Sequence, residues 1–163
     1  MSQNTETNKL TENDINKALE DVLNGKPVYE VAGWSQDQID ALYSAAYNQY
    51  RAGAYEEALK IFKPLLVLNS TDSRVWLGYA AAAQMLNNHE DALKAYGYAS
   101  LLDPMDARPF FHAMECHIAL KNYDEAKTAG EYVVGVTTDK PEHSKTLART
   151  QILLKAIEEK LVA

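Results

Sequence analysis

One short phrase recurs three times along the chain at a fixed distance. The segments GAYEEALKIF from Gly53, NNHEDALKAY from Asn87 and KNYDEAKTAG from Lys121 share a turn, an aromatic or His, an acidic residue and an alanine. Their alanines, Ala58, Ala92 and Ala126, stand 34 residues apart. A period of this length constrains the fold more than any single helix prediction does, because each unit is too small to bury its apolar face alone and must stack on its neighbours.

Thirty-four residues is the period of the tetratricopeptide repeat, a helix A, a short turn and a helix B. With Gly53 at repeat position 15, the units span 39–72, 73–106 and 107–140. Position 4 is then Leu42, Trp76 and Phe110, position 8 is Ala46, Ala80 and Met114, and position 24 is Phe62, Tyr96 and Gly130. Small residues at positions 8 and 20 let the two helices of a unit approach, and bulky ones at positions 4 and 24 fill the gaps between units. Asp103 and Pro104 stop the second helix B, since proline cannot continue the ladder. The third unit departs from the pattern at Met114 and Gly130, and its helix B, with Val133, Val134, Gly135 and Val136, is expected to be the least stable. Pro64 lies inside the first helix B, where it removes a hydrogen bond and is expected to bend the helix.

Residues 1–10 are polar and aperiodic and read as a disordered tail. Residues 11–34 hold an amphipathic helix marked by Ile15, Ala18, Leu19, Val22 and Leu23, ended by Gly25 and Pro27. Ser35 and Gln38 form a capping box for the first repeat helix. In 141–163, Leu147, Ile152, Leu153, Ala156, Ile157 and Leu161 recur at helical spacing, giving a helix expected to cap the open end of the stack. The fold class is all-α: three tandem repeats as an α-solenoid, with an N-terminal helix and a C-terminal capping helix.

In such a stack the A helices line the concave side, with positions 2, 5, 9 and 12 facing inward. These are Asp40, Tyr43, Tyr47 and Tyr50; Arg74, Leu77, Ala81 and Gln84; and Arg108, Phe111, Glu115 and Ile118. His112 is placed in the groove beside Phe111. Three tyrosines on one stripe suit a surface that grips an extended chain, because each ring supplies apolar area and a hydroxyl at low entropic cost. The alternative is that these rings only fill the contact between helices A and B. The lysines and asparagines of a carboxylate clamp are missing from the groove positions, so the guest is expected to be an internal, apolar or proline-bearing segment.

Other chemistries find little support. A net charge of -7 repels phosphate backbones and anionic headgroups, so neither nucleic acid nor direct membrane binding is expected. Cys116 is the single cysteine and calls for no oxidising compartment. No secretory leader or membrane-spanning run is read in the sequence. His112, Cys116 and His117 do not converge as a metal site would require, so neither metal nor cofactor is expected. No phosphate loop, nucleophile elbow or zinc-protease helix occurs, and a hydrolase on a helical scaffold would need convergent polar groups that the sequence does not offer.

The run LYSAAYNQYRAGAYEEALKIFKPLLVLNSTDSRVWLGYAAAAQ, with AYGYASLLDPMDARPFFHAMECHIAL after it, resembles the class II chaperones of bacterial type III secretion, the translocator chaperones of the low-calcium-response H type. The likeness extends over about residues 12–160 and includes the flanking helices. It implies a bacterial cytoplasmic chaperone, not an enzyme, that binds two hydrophobic translocator proteins through a proline- and leucine-bearing segment and keeps them soluble and apart before export. It also implies roles for Tyr55 and Tyr96, and a homodimer through the N-terminal helix and first repeat, although Pro64, Leu66 and Val67 depart from the commonest residues there. A generic repeat adaptor without an export role would use the same groove. Micromolar affinity, about -8 kcal/mol, would be strong enough to protect a client and weak enough to release it.

Overall fold

The computed structural model describes residues 11–162, and the tail expected over 1–10 lies outside them. The described residues form a run of helices: α1 (Glu12–Leu23), the single turn α2 (Val28–Val31), α3 (Gln36–Arg51), α4 (Tyr55–Leu68), α5 (Ser73–Met85), α6 (His89–Leu102), α7 (Ala107–Ala119), α8 (Tyr123–Thr137) and, after a 3-10 turn at Pro141–His143, α9 (Ser144–Val162). Each helix packs on the next from α3 to α9, which is the nearest-neighbour order of a solenoid. No strand occurs among the described residues.

Local chemistry sets the helix starts. Thr11 and Ser35 each form a full capping box, with Asp14 and Gln38 returning the bond to the cap backbone. Asp72 and Asp106, one repeat apart, cap α5 and α7 through the backbone N–H of Arg74 and Arg108. The turn between A and B helices needs a left-handed residue, and Gly53, Asn87 and Lys121 supply it with φ of 80°, 60° and 62°. Glycine takes this conformation freely and asparagine tolerates it, while Lys121 adopts it in a turn closed by the Lys121 N–H to Ile118 C=O and Asn122 N–H to His117 C=O bonds.

Between the helices the alanines and the position 24 rings sit where expected, but the position 4 rings of the second and third units stack within their own unit rather than between units. Ala58, Ala92 and Ala126 are all fully buried, as are Phe62 and Tyr96 between successive units. Trp76 stacks on Tyr98 with ring centroids 4.4 Å apart, and Phe110 on Tyr132 at 4.0 Å, a position 4 ring meeting the B helix of its own unit in both cases. Helix α4 continues through Pro64, whose ring is exposed, so the unmade hydrogen bond lies at the surface.

Gly130 proves to be a fit rather than a defect. A Cβ there would lie 2.7 Å from Leu154 Cδ2 on α9 and 2.8 Å from Met114 Sδ on α7. The missing side chain is the space into which α9 docks. The seam of α9 differs from expectation: Thr150, Leu153, Leu154 and Ile157 face inward, whereas Ile152 is 71% exposed because it lies on the opposite side of the same helix.

His117, on the outer side of α7, has its Nδ1 buried without a hydrogen-bond partner among the described residues. Burial pushes its pKa below the ordinary 6.5, with Glu125 acting the other way. Between the depressed folded value and 6.5 the unfolded chain binds more protons than the folded one, so stability falls as pH falls through that window. Urea midpoints should therefore be lower at about pH 5.5 than at about pH 7.5, and His117→Gln should flatten part of that slope. An unchanged slope in the variant would remove His117 as its source.

Candidate functional site: a tyrosine-lined hollow on the concave side

The A helices α3, α5 and α7 enclose a cavity of about 180 Å³ lined by Tyr43, Tyr47, Tyr50, Leu77, Gly78, Ala81, Arg108 and His112. Steps of four and three residues place the tyrosines on one stripe of α3. The rings form a ladder, Tyr43 to Tyr47 at 6.2 Å with planes 7° apart and Tyr47 to Tyr50 at 6.4 Å. Tyr55 continues it from α4, 5.6 Å from Tyr50. Opposite them α5 presents Gly78 and Ala81, and this absence of bulk makes the hollow.

Its floor is Phe62, buried and edge-on to Tyr43 at 6.1 Å, with its ring against the space above Gly78. The tyrosines span the boundary between core and solvent. Tyr47 is 44% exposed, and Tyr43 and Tyr50 are partly buried. Burial raises the pKa of Tyr43 and Tyr50, so both hydroxyls stay protonated near neutral pH. These hydroxyls have no hydrogen-bond partner among the described residues, whereas Tyr79 donates to Asp91 and Tyr96 to Gln84, each at 2.6 Å. Tyr79 and Tyr96 thus serve the fold, and the α3 tyrosines keep both face and hydroxyl available to a guest.

Charge enters at one edge. The Arg74 guanidinium lies 5.2 Å over the Tyr43 ring and is held by Asp72 at 2.6 Å and Asp40 at 3.2 Å. Arg108 is held by Asp106 at 2.7 Å. Burial disfavours the Asp106 carboxylate, but hydrogen bonds from the Arg108 side chain and backbone outweigh it, and its pKa lies below the usual range.

Seven residues expected in the groove, Tyr43, Tyr47, Tyr50, Leu77, Ala81, Arg108 and His112, line the hollow together. Asp40, Arg74, Gln84, Phe111, Glu115 and Ile118, expected there as well, do not. Phe111 is only 5% exposed, packed in the third core cluster with Arg149 of α9 above its ring at 5.1 Å. Glu115 accepts from Arg149 at 2.7 Å, pairs with His112 Nδ1 at 2.9 Å and meets Gln84 Nε2 at 3.4 Å. Burial opposes its charge, yet His112 first and then Arg149 hold its pKa below the usual range. For Phe111 and Glu115 the reason is α9, whose Arg149 lies over the ring and pairs with the carboxylate; Gln84 on α5 is instead engaged by the Tyr96 hydroxyl, from which it accepts.

Gly78 was missed by reading groove positions alone. Its signal is a glycine in the middle of an A helix, unfavourable there unless something needs the space. Cys116 is buried with its thiol pushed up to about 12, which leaves it protonated and unreactive. Among the described residues no three His, Cys, Asp or Glu side chains gather as metal ligands, and no helix is long and apolar enough to cross a membrane.

The chain matches no protein-family model. It is 36% identical over 124 residues to the low calcium response locus protein H of Yersinia pseudotuberculosis, covering 76% of this chain and 74% of that one. Among solved structures it is similar to the Yersinia enterocolitica type III secretion chaperone SycD in complex with a peptide of the translocator YopD, with TM-score 0.75, 36% identity and coverage of 77% and 96% of the two chains. It is likewise similar to PcrH in complex with the chaperone-binding region of PopD, with TM-score 0.76, 36% identity and coverage of 78% and 96%. The repeat pairs, the flanking helices and these likenesses agree, and the chain belongs to the low calcium response protein H family of type III secretion translocator chaperones.

Proposed function

We propose that the protein keeps hydrophobic translocator proteins soluble and apart before export by holding an extended segment of each in the tyrosine-lined hollow. The observation that carries this reading is the ladder of Tyr43, Tyr47 and Tyr50 facing Gly78 and Ala81 across open space. Translocators must enter membranes, so before export they expose apolar segments that aggregate unless covered. A groove of aromatic faces with unspent hydroxyls covers such a segment and satisfies its backbone without requiring one side-chain sequence. SycD and PcrH are seen in complex with segments of YopD and PopD, and the protein acts in the same manner in the bacterial cytoplasm, by binding alone.

Self-association fits the same reading. Helix α1 buries no residue, and Ile15, Leu19, Val22 and Leu23 stand 48%, 57%, 40% and 85% exposed on it. A second copy covering that face would give the homodimer expected of the family, and SycD itself has been seen in an alternative dimer.

Co-expression tests the reading. A membrane-inserting translocator from the same host should stay in the soluble fraction with the intact protein and precipitate without it. Tyr47→Ala should weaken binding of that client by about 1–3 kcal/mol while leaving helical content intact. Unchanged affinity by calorimetry, with the variant folded, would place the client on another face.

A further inference from the structure

The repeat spacing continues into α9. Glu115 on α7 and Arg149 on α9 are 34 residues apart and paired at 2.7 Å. The same 34-residue step joins Asp40 on α3 to Arg74 on α5 at 3.2 Å. Both pairs bridge consecutive A helices, so α9 stands where the A helix of a fourth unit would stand. Arg149 then occupies the level of Tyr47, Ala81 and Glu115. Lys145, one turn earlier on the same face, occupies that of Tyr43, Leu77 and Phe111.

This end of the groove presents cations. The side chains of Arg108 and Arg149 are each 66% exposed, and Lys145 is exposed as well. Their balancing carboxylates are covered, Asp106 at 13% and Glu115 at 20% exposure. They are also engaged: Asp106 caps α7 and accepts from Arg108 Nε and Nη2, while Glu115 takes Arg149, His112 and Gln84. What a guest meets there is unspent N–H, in a chain whose net charge is -7. Arg74 differs, being shared between Asp72 and Asp40.

We infer that Arg108, Lys145 and Arg149 form an acidic-residue subsite that extends the groove past the tyrosine hollow onto α9. Its occupant is an Asp or Glu of the same client segment that lays its apolar residues on α3 and α5, so the inference rests on the groove reading above. A guanidinium recognises a carboxylate through paired, charge-assisted bonds, and a lysine beside it adds a point charge. Apolar recognition at one end and anionic recognition at the other also fixes the direction in which the segment runs, which tyrosine contacts alone leave open.

The test uses the full chain and four synthetic peptides of equal length, each with a leucine flanked by prolines. Two carry a Glu pair at one end or the other, and two carry Gln in the same places. Calorimetry should show one Glu peptide binding about 5- to 10-fold tighter than its Gln partner, with the advantage lost at high salt. Lys145→Gln should reduce that advantage and Arg108→Gln with Lys145→Gln should remove most of it, Arg149 alone remaining, with circular dichroism unchanged. Tyr47→Ala should weaken both members of the pair alike. Equal binding of Glu and Gln peptides, both still sensitive to Tyr47→Ala, overturns the subsite and leaves the groove reading intact. A Glu preference of undiminished size in the double variant overturns the assignment to these residues. If none of the peptides binds, both readings fall.

Discussion

Gly78→Ala should lower the melting temperature, against the ordinary effect of that substitution. Replacing glycine by alanine inside a helix adds about 0.5–1 kcal/mol of stability where the new methyl has room. Gly97 is such a case, with nothing within 4 Å of the added Cβ. At Gly78 the Cβ would lie 2.4 Å from Phe62 Cζ and 2.6 Å from Cε1. Phe62 is fully buried with Tyr43 against its ring, so the clash falls on a ring with little freedom to turn aside. Overpacking of that kind costs about 1–3 kcal/mol, which exceeds the propensity gain. At about 2–4 °C per kcal/mol for a chain of this length, Gly78→Ala should melt a few degrees below the native protein and Gly97→Ala a few degrees above it. Scanning calorimetry separates the signs. Gly78 also lines the hollow, so client affinity should fall with stability in this variant and stay unchanged in Gly97→Ala. A Gly78→Ala protein as stable as Gly97→Ala would mean that the Phe62 floor is not tightly seated.

The contrast shows which parts of the molecule could be read from the residues. Ala58, Ala92 and Ala126 announced the helix pairs because close packing of A on B admits little else, and a 34-residue spacing leaves no competing period. The tyrosine stripe was legible for the same reason: once the register is known, spacings of four and three residues put Tyr43, Tyr47 and Tyr50 on one face. Phe111 and Glu115 occupy equivalent levels of α7, yet their surroundings depend on α9, which lies outside the three units that define the period. Pattern alone reads Gly130 as a lost aromatic. Only the packing reveals that Leu154 of α9 fills the place where Phe62 and Tyr96 stand in the earlier units. Ile152 shows the converse error, a residue at helical spacing assigned to a seam that the helix turns away from it. Periodicity identifies faces, and the neighbour that covers a face must be supplied by tertiary structure.

Gly130→Tyr, which restores the aromatic of the other two units, should detach α9. The place for a ring at this position is already held by Leu154 and the Met114 sulfur, 2.7 and 2.8 Å from where even a Cβ would sit. Both neighbours are flexible side-chain ends, so Gly130→Ala can be absorbed by a small rotation and should be mild. A tyrosine cannot be absorbed while the helix stays docked. Losing the seam exposes Ile157, now 2% exposed, together with Leu153 and Leu154, each worth about 1.5–3 kcal/mol when fully buried. Allowing for the burial that the new ring gains, the net loss should be about 3–5 kcal/mol, in the range reserved for broken packing. Limited proteolysis should then cut the segment from Thr138 to His143, and amide exchange in α9 should become fast while α3 to α6 stay protected. Because Lys145 and Arg149 leave with α9, peptide binding should keep its dependence on Tyr47 and lose its preference for Glu. A Gly130→Tyr protein with α9 still protected would show that the helix is seated by other contacts and that the groove's basic end does not depend on this glycine.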